Sequence, residues 1–189
     1  MILTDREIEI ALDQKQIIVD PLPDLREAIS STSLDLTLSD RFAEWQSQPG
    51  MPIRPGAVGY SYAATDKIRT DLTQSSYELK SRHFVLAWTA EYVKLPFQSR
   101  IAARVEGKSS LARLGVSVHV TAPTIHSGFE GNIQLEMFNF GALDIILDRG
   151  MKVCQLIFEY TAGTPLKGYS GMFSGQTPSG GGQRGSRHD

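Results

Sequence analysis

The chain has 189 residues, of which 41% are hydrophobic and 21% charged, and its formal net charge is −2 at pH 7. This composition is ordinary for a globular domain and excludes a chain-wide basic field for nucleic acid. No apolar run approaches the roughly 20 residues of a membrane span. The single cysteine, Cys154, excludes an intrachain disulfide and a multi-cysteine zinc site, and its apolar surroundings predict a buried thiol. The N-terminus is too charged for a secretory signal, so we expect a cytoplasmic protein.

The first third of the chain combines one helix with β-structure. Thr4 and Glu7 have the spacing of a capping box, and an apolar stripe continues to Leu12, which predicts a helix. In "SLDLTLSDRF", residues 33–42, leucines alternate with polar residues, which predicts a strand with one buried face. Residues 47–75 are rich in Gly, Pro, Ser and Thr and are predicted to form loops with short strands.

Short strand-like runs dominate the rest of the chain, at residues 84–95, 100–107, 116–122, 131–140, 143–150 and 152–161. Many short strands with regular turns predict a β-sandwich or a barrel. The Gly/Ser-rich tail is either a disordered end or a lid that orders over a ligand. We therefore expect a single domain over residues 1–173 and a flexible tail over residues 174–189.

The densest polar cluster lies in "ARVEGKSSLARLG", residues 103–115. It resembles the end of a P-loop, but Ala102 stands where that motif needs a glycine. We predict a short helix that Ser109 or Ser110 caps and Gly115 ends. Free backbone N–H groups and two cations could bind phosphate there, and a capped surface turn is the alternative reading. The cluster comprises Lys108, Ser109, Ser110 and Arg113.

Glu136, in "NIQLEMFNF", is the main candidate for acid–base chemistry. Strand alternation turns Ile133 and Leu135 to one side and Gln134 and Glu136 to the other. Apolar neighbours predict a partly desolvated carboxylate, which suits a general acid or base. The alternative is that Glu136 faces water.

The loop "TIHSGFEGN" carries two further candidates. Phe129 could offer an aromatic face to a base, and His126 could be a ligand, a base or a polar loop residue. The four histidines form neither H-x-E nor H-E-x-x-H, and no C-x-x-C is present. The sequence therefore excludes zinc hydrolysis and the zinc type of base deaminase.

Six segments, in chain order, resemble the dCTP deaminases of the trimeric dUTPase-like superfamily: "MILTDREI", "SLDLTL", "EGKSSLARLGVSVHVTA", "GFEGNIQLEMFNFG", "GMKVCQLIFEY" and "GYSGMFSGQ". The resemblance implies a mainly β fold, a distorted β-barrel or jelly-roll of the dUTPase-like (β-clip) type with a few short helices. It implies a homotrimer with active sites between subunits. The implied reaction is hydrolytic deamination of dCTP to dUTP, with Mg²⁺ bound through the triphosphate and no zinc.

The resemblance also implies roles for individual residues. Glu136 falls on the catalytic carboxylate, while Ser109 and Arg113 fall on residues that position the water and the base. Gln134 and Gln155 match positions near the base and ligand, and Tyr169 and Gln176 match a segment that closes over the triphosphate. The implied substrate-binding residues are Lys108, Ser110, Ala122, His126, Phe129, Gln134, Leu135, Gln155, Tyr169 and Gln176.

Two positions depart from the family pattern. His126 stands where the family usually has the aspartate that dUTPases use to activate water, which argues against diphosphatase activity. Met172 stands where the family tends to have lysine. The loss of that cation predicts weaker triphosphate binding, unless a residue such as Lys167 or Arg184 substitutes for it. The alternatives are a dUTP diphosphatase, a bifunctional enzyme or a non-catalytic nucleotide-binding regulator. Inhibition by thymidine triphosphate, known in some relatives, stays open.

Overall fold

The structure is a computed structural model that describes residues 1–50 and 52–167. Its helices are α1 (Asp5–Asp13), α2 (Leu25–Ala28) and α3 (Ser109–Arg113), with 3-10 helices at Tyr62–Ile68 and Phe97–Ser99. Its strands are β1 (Ile18–Asp20), β2 (Ile29–Ser30), β3 (Ser33–Trp45), β4 (Arg69–Thr73), β5 (Ser76–Leu79), β6 (Phe84–Lys94), β7 (Ile101–Gly107), β8 (Val116–Ser117), β9 (Thr124–Ile125), β10 (Glu130–Asn139), β11 (Ile145–Asp148) and β12 (Lys152–Tyr160). The predicted tail, 174–189, and the division at residue 173 lie outside the described residues and stay predictions.

Across the described residues, ten strands join in one antiparallel sheet, and β5 and β11 form a separate pair. The main path runs β8, β10, β6, β3, β12, β7 and β9, with β1 on β6 and both β2 and β4 on β3. The registers of β3 with β6, β6 with β10 and β3 with β12 each contain an irregularity. Such bulges bend long strands, and the sheet curls into a distorted half-barrel. The predicted fold class is confirmed.

Helix α1 closes one end of the sheet, as the capping box predicts. The Thr4 backbone N–H and hydroxyl both donate to the Glu7 carboxylate. Ile8 and Ala11 are buried, and the Leu3 backbone N–H donates to the Phe158 carbonyl at 3.0 Å, which ties the N-terminus to β12.

The prediction of one buried face for β3 is wrong over its first four residues. Leu34 and Leu36 pack into the core, but Ser33 and Asp35 on the opposite face are buried too. Polar side chains from other segments contact this face: the Ser33 hydroxyl donates to Gln155 Oε1 at 2.8 Å, and the Lys108 ammonium lies 2.5 Å from Asp35 Oδ1. The alternating pattern therefore marks a polar contact inside the protein rather than a face in water.

Three local predictions also need correction. The segment 47–75 contains loops and the short strand β4, as predicted, but also the 3-10 helix Tyr62–Ile68, which was not predicted. The N-cap of α3 is Lys108, not Ser109 or Ser110, and it makes no side-chain capping bond. Of the predicted strand 116–122, only Val116–Ser117 forms a strand, which pairs with β10. The rest of that segment turns towards the site described below.

Gly115 ends α3, as predicted, and locks it against the end of β10. Its φ is +94°, and a Cβ there would lie 2.4 Å from the Gly141 nitrogen. Because only glycine fits this approach, the contact fixes where α3 meets the sheet. Cys154 is fully buried, as predicted, and burial raises the pKa of its thiol. None of the helices in the described part of the chain is long and apolar enough to span a bilayer.

Candidate active site

A cavity of about 430 Å³ opens against β10, a size typical of small-molecule sites. Its walls come from the end of β3, the first 3-10 helix, the start of β6, β7, β10 and the segment 119–129. The lining residues are Trp45, Tyr62, Phe84, Leu86, Val105, His119, Ala122, Thr124, Ile125, His126, Phe129, Ile133, Gln134, Leu135 and Glu136. The cavity is thus mainly apolar and aromatic, with a few polar groups.

Glu136 is the carboxylate in this cavity. Ile133 and Leu135 are buried while Gln134 and Glu136 are half-buried, so the alternation predicted for β10 is confirmed. Burial raises the pKa of Glu136, and a hydrogen bond from the Val120 backbone N–H, 3.5 Å from Oε2, opposes that rise. The predicted partial desolvation is confirmed. A carboxylate in this setting is a stronger proton acceptor than one in water.

His119 is the titratable neighbour of Glu136 in the cavity wall. Its charge lowers the pKa of Glu136, so it acts against the effect of burial. The side chain is half-buried, and its Nδ1 has no hydrogen-bond partner among the described residues. The site therefore contains a second group able to accept or donate a proton.

Aromatic side chains form a second part of the cavity wall. Trp45 and Tyr62 meet edge to face, with ring centroids 6.1 Å apart, and Phe84 lies beside them in the lining. Burial raises the pKa of the Tyr62 phenol, so the phenol stays protonated at neutral pH. A flat heterocycle can stack on such a surface, whatever its exact substituents.

The loop at residues 126–129 is held rigidly at the cavity edge. The Phe129 backbone N–H donates to the His126 carbonyl at 3.0 Å, and the Gly128 N–H donates to the Leu95 carbonyl at 2.6 Å. Leu95 in turn donates to the Phe129 carbonyl at 2.9 Å. The Phe129 side chain is buried, whereas His126 is exposed at the opening. His126 can therefore reach a ligand that protrudes from the cavity.

The polar cluster of residues 108–113 lies outside this cavity. Ser109, Ser110 and Arg113 are exposed on α3, and the Lys108 ammonium is 2.5 Å from Asp35 Oδ1. Gln155 stays with this cluster, because its Nε2 donates to the Gly107 carbonyl at 3.0 Å and its Oε1 accepts from the Ser33 hydroxyl at 2.8 Å. Within one chain, the candidate site thus consists of two separate parts.

The structure brings together six of the predicted residues: Ala122, His126, Phe129, Gln134, Leu135 and Glu136. Five others, Lys108, Ser109, Ser110, Arg113 and Gln155, do not line the cavity. Tyr169 and Gln176, like Met172 and Arg184, lie outside the described residues. The roles of all these residues stay predictions.

The sequence did not predict that Trp45, Tyr62 and His119 line the cavity with Glu136. Trp45 ends a long strand, and Tyr62 lies in a segment predicted as loop, about 90 and 75 residues before Glu136. The signal that could have found Tyr62 is an aromatic pair, "YSY", in an otherwise Gly/Ser/Pro-rich stretch. His119 lies next to a candidate segment but lacks any motif.

No group of three or more His, Cys, Asp or Glu side chains able to hold a metal forms within residues 1–50 and 52–167. The cavity offers one carboxylate and two imidazoles from separate segments.

Comparison with known proteins places the chain in a family. The family model described as dCTP deaminase-like matches residues 2–161. The "dCTP deaminase, dUMP-forming" of Methanosphaera stadtmanae is 38% identical over 170 residues, 89% of this chain and 83% of that protein. The "dCTP deaminase" of Shewanella amazonensis is 38% identical over 175 residues, 90% of this chain and 89% of that protein.

A solved structure shares the fold. The 2′-deoxycytidine 5′-triphosphate deaminase from Agrobacterium tumefaciens superposes with a TM-score of 0.62 at 22% identity, over 85% of this chain and 48% of that one. At this identity the match supports the architecture alone. The prediction of a deaminase-class enzyme agrees with the relatives and is confirmed. The chain therefore belongs to the dCTP deaminase-like family.

Proposed function

We propose that this protein hydrolyses dCTP to dUTP and ammonia. One observation carries the proposal: the half-buried Glu136 projects into an aromatic cavity of a size that suits a nucleotide base, and burial raises the pKa of its carboxylate. Two relatives that are each 38% identical to this chain are named as dCTP deaminases. The cytosine ring would stack on the wall formed by Trp45 and Tyr62, with Gln134 beside its polar edge.

In the proposed reaction, Glu136 takes a proton from a water molecule that attacks C4 of cytosine. The attack forms the C4–O bond of a tetrahedral intermediate, and Glu136 passes the proton to N3. Glu136 then takes the proton of the C4 hydroxyl and passes it to the amino group, so that the C4–N4 bond breaks, ammonia leaves and the C4=O bond of the uracil ring forms. A desolvated carboxylate with a raised pKa suits both halves of this shuttle.

The second part of the site would bind the phosphates. Lys108 and Ser110 would contact the phosphates, and Ser109 and Arg113, exposed on the same segment, would position the attacking water and the base and steady the developing charge. Since this part does not line the cavity of its own chain, we propose a homotrimer in which the cluster of one subunit completes the cavity of the next. The isolated chain would then hold both parts but not a complete site.

Magnesium would enter with the substrate. The described residues gather no carboxylate cluster for it, so the triphosphate oxygens and water would hold the ion. The ion would supply positive charge to the phosphates, so that Lys108 would have less phosphate charge to balance. Every proton transfer in the proposed mechanism passes through Glu136, and no zinc is required.

A second candidate product is dUMP. The Methanosphaera relative is named as dUMP-forming and the Shewanella relative is not, at the same 38% identity, so overall similarity does not choose between them. His126 favours dUTP, because an imidazole at the opening can hydrogen-bond a sugar hydroxyl but supplies no carboxylate to activate water at a phosphate.

The test is product analysis of the purified protein with dCTP and Mg²⁺, assaying ammonia, dUTP, dUMP and pyrophosphate together. We expect ammonia and dUTP in equal amounts without pyrophosphate. Ammonia with dUMP and pyrophosphate would establish the second candidate and show that His126 does not prevent diphosphate release. No ammonia from dCTP or another cytidine nucleotide would refute the proposed function.

A further inference from the structure

Asp35 is a buried carboxylate that connects two lysines from distant parts of the chain. Only 6% of the residue is exposed. The Lys108 ammonium lies 2.5 Å from Oδ1, and the Lys152 ammonium lies 3.7 Å from Oδ2. Burying a carboxylate is costly unless cations or hydrogen bonds compensate it, so these two contacts account for its place in the fold.

The backbone next to Lys108 is fixed from the same direction. Asp35 on β3 lies opposite Gln155 on β12, and the Gln155 amide donates to the Gly107 carbonyl at 3.0 Å. Two neighbouring strands therefore hold the junction between β7 and α3, one through the Gly107 carbonyl and the other through the Lys108 side chain. This arrangement determines where the Lys108 ammonium lies before any ligand arrives.

The number of charges at Asp35 matters for ligand binding. One carboxylate faces two ammonium groups, so Lys152 still helps to neutralise Asp35 when the Lys108 ammonium, which has three N–H donors, also contacts an anion. Lys152 is itself held in place, since its ammonium donates to the Glu27 carbonyl at 2.5 Å. The other buried carboxylate nearby, Glu91, accepts hydrogen bonds from the Thr37 backbone N–H and hydroxyl at 2.9 and 2.6 Å. Glu91 therefore does not depend on either lysine.

We propose that Asp35 is a positioning residue that orients Lys108 towards the phosphates of the nucleotide. The inference rests on the proposed function for its substrate, but its test does not require deamination. Asp35 limits the rotamers of Lys108 in the free protein, so less side-chain entropy remains to be lost on binding. The opposite effect, repulsion between Asp35 and phosphate, is reduced because Lys152 remains paired with Asp35.

The test is calorimetric titration with magnesium tripolyphosphate, a probe that has phosphates but no base. We expect D35N to weaken binding about tenfold, the scale of fixing one long side chain. K108M should weaken it by a similar factor, and D35N should have no further effect in the K108M protein, because Asp35 acts through Lys108. In the K108R protein, which keeps the charge, D35N should again weaken binding.

A second variant covers the case in which D35N fails to fold. K152M leaves Asp35 with Lys108 as its single cation, so binding should weaken about threefold, the scale of a partly exposed ion pair. K80M is the matched control, because Lys80 is exposed and follows β5, away from Asp35. Its ammonium lies 3.8 Å from the Glu78 carboxylate. K80M should bind the probe like the wild type.

Three results would overturn the proposal. The first is that D35N binds tripolyphosphate as tightly as the wild type or more tightly. The second is that D35N has the same effect with and without Lys108, and the third is that K152M does not change the affinity. If the wild type binds tripolyphosphate but releases no ammonia from dCTP, the proposed function fails while the role of Asp35 is still tested. If the wild type does not bind tripolyphosphate, the phosphate role of Lys108 and the inference fail together.

Discussion

The cavity around Glu136 and the cluster around Lys108 use opposite means to prepare polar groups. In the cavity, apolar and aromatic side chains remove water from one carboxylate and raise its pKa. In the cluster, buried Asp35 compensates its charge with Lys108 and Lys152, and α3 remains exposed. The first environment favours proton transfer, and the second favours binding of a polyanion.

This difference explains why neither part is a complete site. A cavity this apolar cannot hold a triphosphate, because its charges would be buried without cations. The exposed cluster cannot desolvate a general base. A reaction on the base of a nucleotide needs both environments within the length of that nucleotide, which a neighbouring subunit can provide.

The largest effect should come from removing the carboxylate of the cavity. We expect Glu136→Gln to lower kcat by about 10³-fold or more, because the amide cannot accept the proton from water. Binding of dCTP should change little, since the amide keeps the size and most of the polarity of the side chain. Steady-state kinetics and calorimetry measure the two quantities.

Glu130→Gln is the matched control on the same strand. Glu130 pairs with Lys94 at 2.9 Å and does not line the cavity, so its kcat should stay within twofold of the wild type. A kcat for Glu136→Gln near that of the control would show that Glu136 is not the general base.

The next largest effect should come from removing the Arg113 side chain in the cluster around Lys108. Arg113→Ala should lower kcat/KM for dCTP about 100-fold, since it would remove the charge proposed to steady the negative charge that develops in the reaction. The fold should be unaffected, because the Arg113 side chain is exposed and has no ion pair or side-chain hydrogen bond within the described residues. Arg26→Ala, which removes an arginine from α2, is the control and should behave like the wild type. Equal kcat/KM values for the two variants would contradict the role given to Arg113.

A smaller effect should follow from changing the aromatic wall. Trp45→Ala should raise KM for dCTP about tenfold, the scale of losing one base-stacking surface, with kcat within threefold of the wild type. Tyr62→Phe keeps the ring and should alter KM less than threefold. An unchanged KM in Trp45→Ala would show that the base binds elsewhere.

The smallest effect should appear in the pH profile. Because burial raises the pKa of Glu136, kcat/KM should begin to fall at a higher pH than an ordinary glutamate with a pKa of 4.5 would give. The activity is retained above the pKa, where Glu136 is ionised, and lost below it. His119→Asn should move this acidic fall in kcat/KM to still higher pH, since the charge of His119 lowers the pKa of Glu136. If the acidic fall in kcat/KM moves to lower pH in His119→Asn, or does not move, the effect of His119 on the pKa of Glu136 is contradicted.

In both parts, local features could be predicted from the sequence, whereas contacts between distant segments could not. Alternation along β10 is a local signal, and it placed Glu136 on the correct face before any contact was known. The existence of α3 and its end at Gly115 followed from local patterns as well. Contacts between distant segments left no such signal.

Asp35 illustrates the limit most clearly. It has the position of a solvent-facing residue in an alternating strand, yet it is buried because Lys108, 73 residues later, folds over it. Trp45 and Tyr62 reach the cavity for the same kind of reason, through the curl of the sheet. A pattern with period two records which side of a strand a residue takes, not what covers that side.

The most direct test of the two-part site is complementation between inactive variants. Glu136→Gln and Arg113→Ala chains carrying different tags are co-expressed, mixed assemblies are purified through both tags, and ammonia release from dCTP is measured. If neighbouring subunits of a trimer share each site, every mixed trimer places one intact cavity beside one intact cluster, so about one third of its sites are intact. The account predicts activity on that scale, well above either parent. Activity no higher than that of the parents would contradict it and place both parts of the site within one chain.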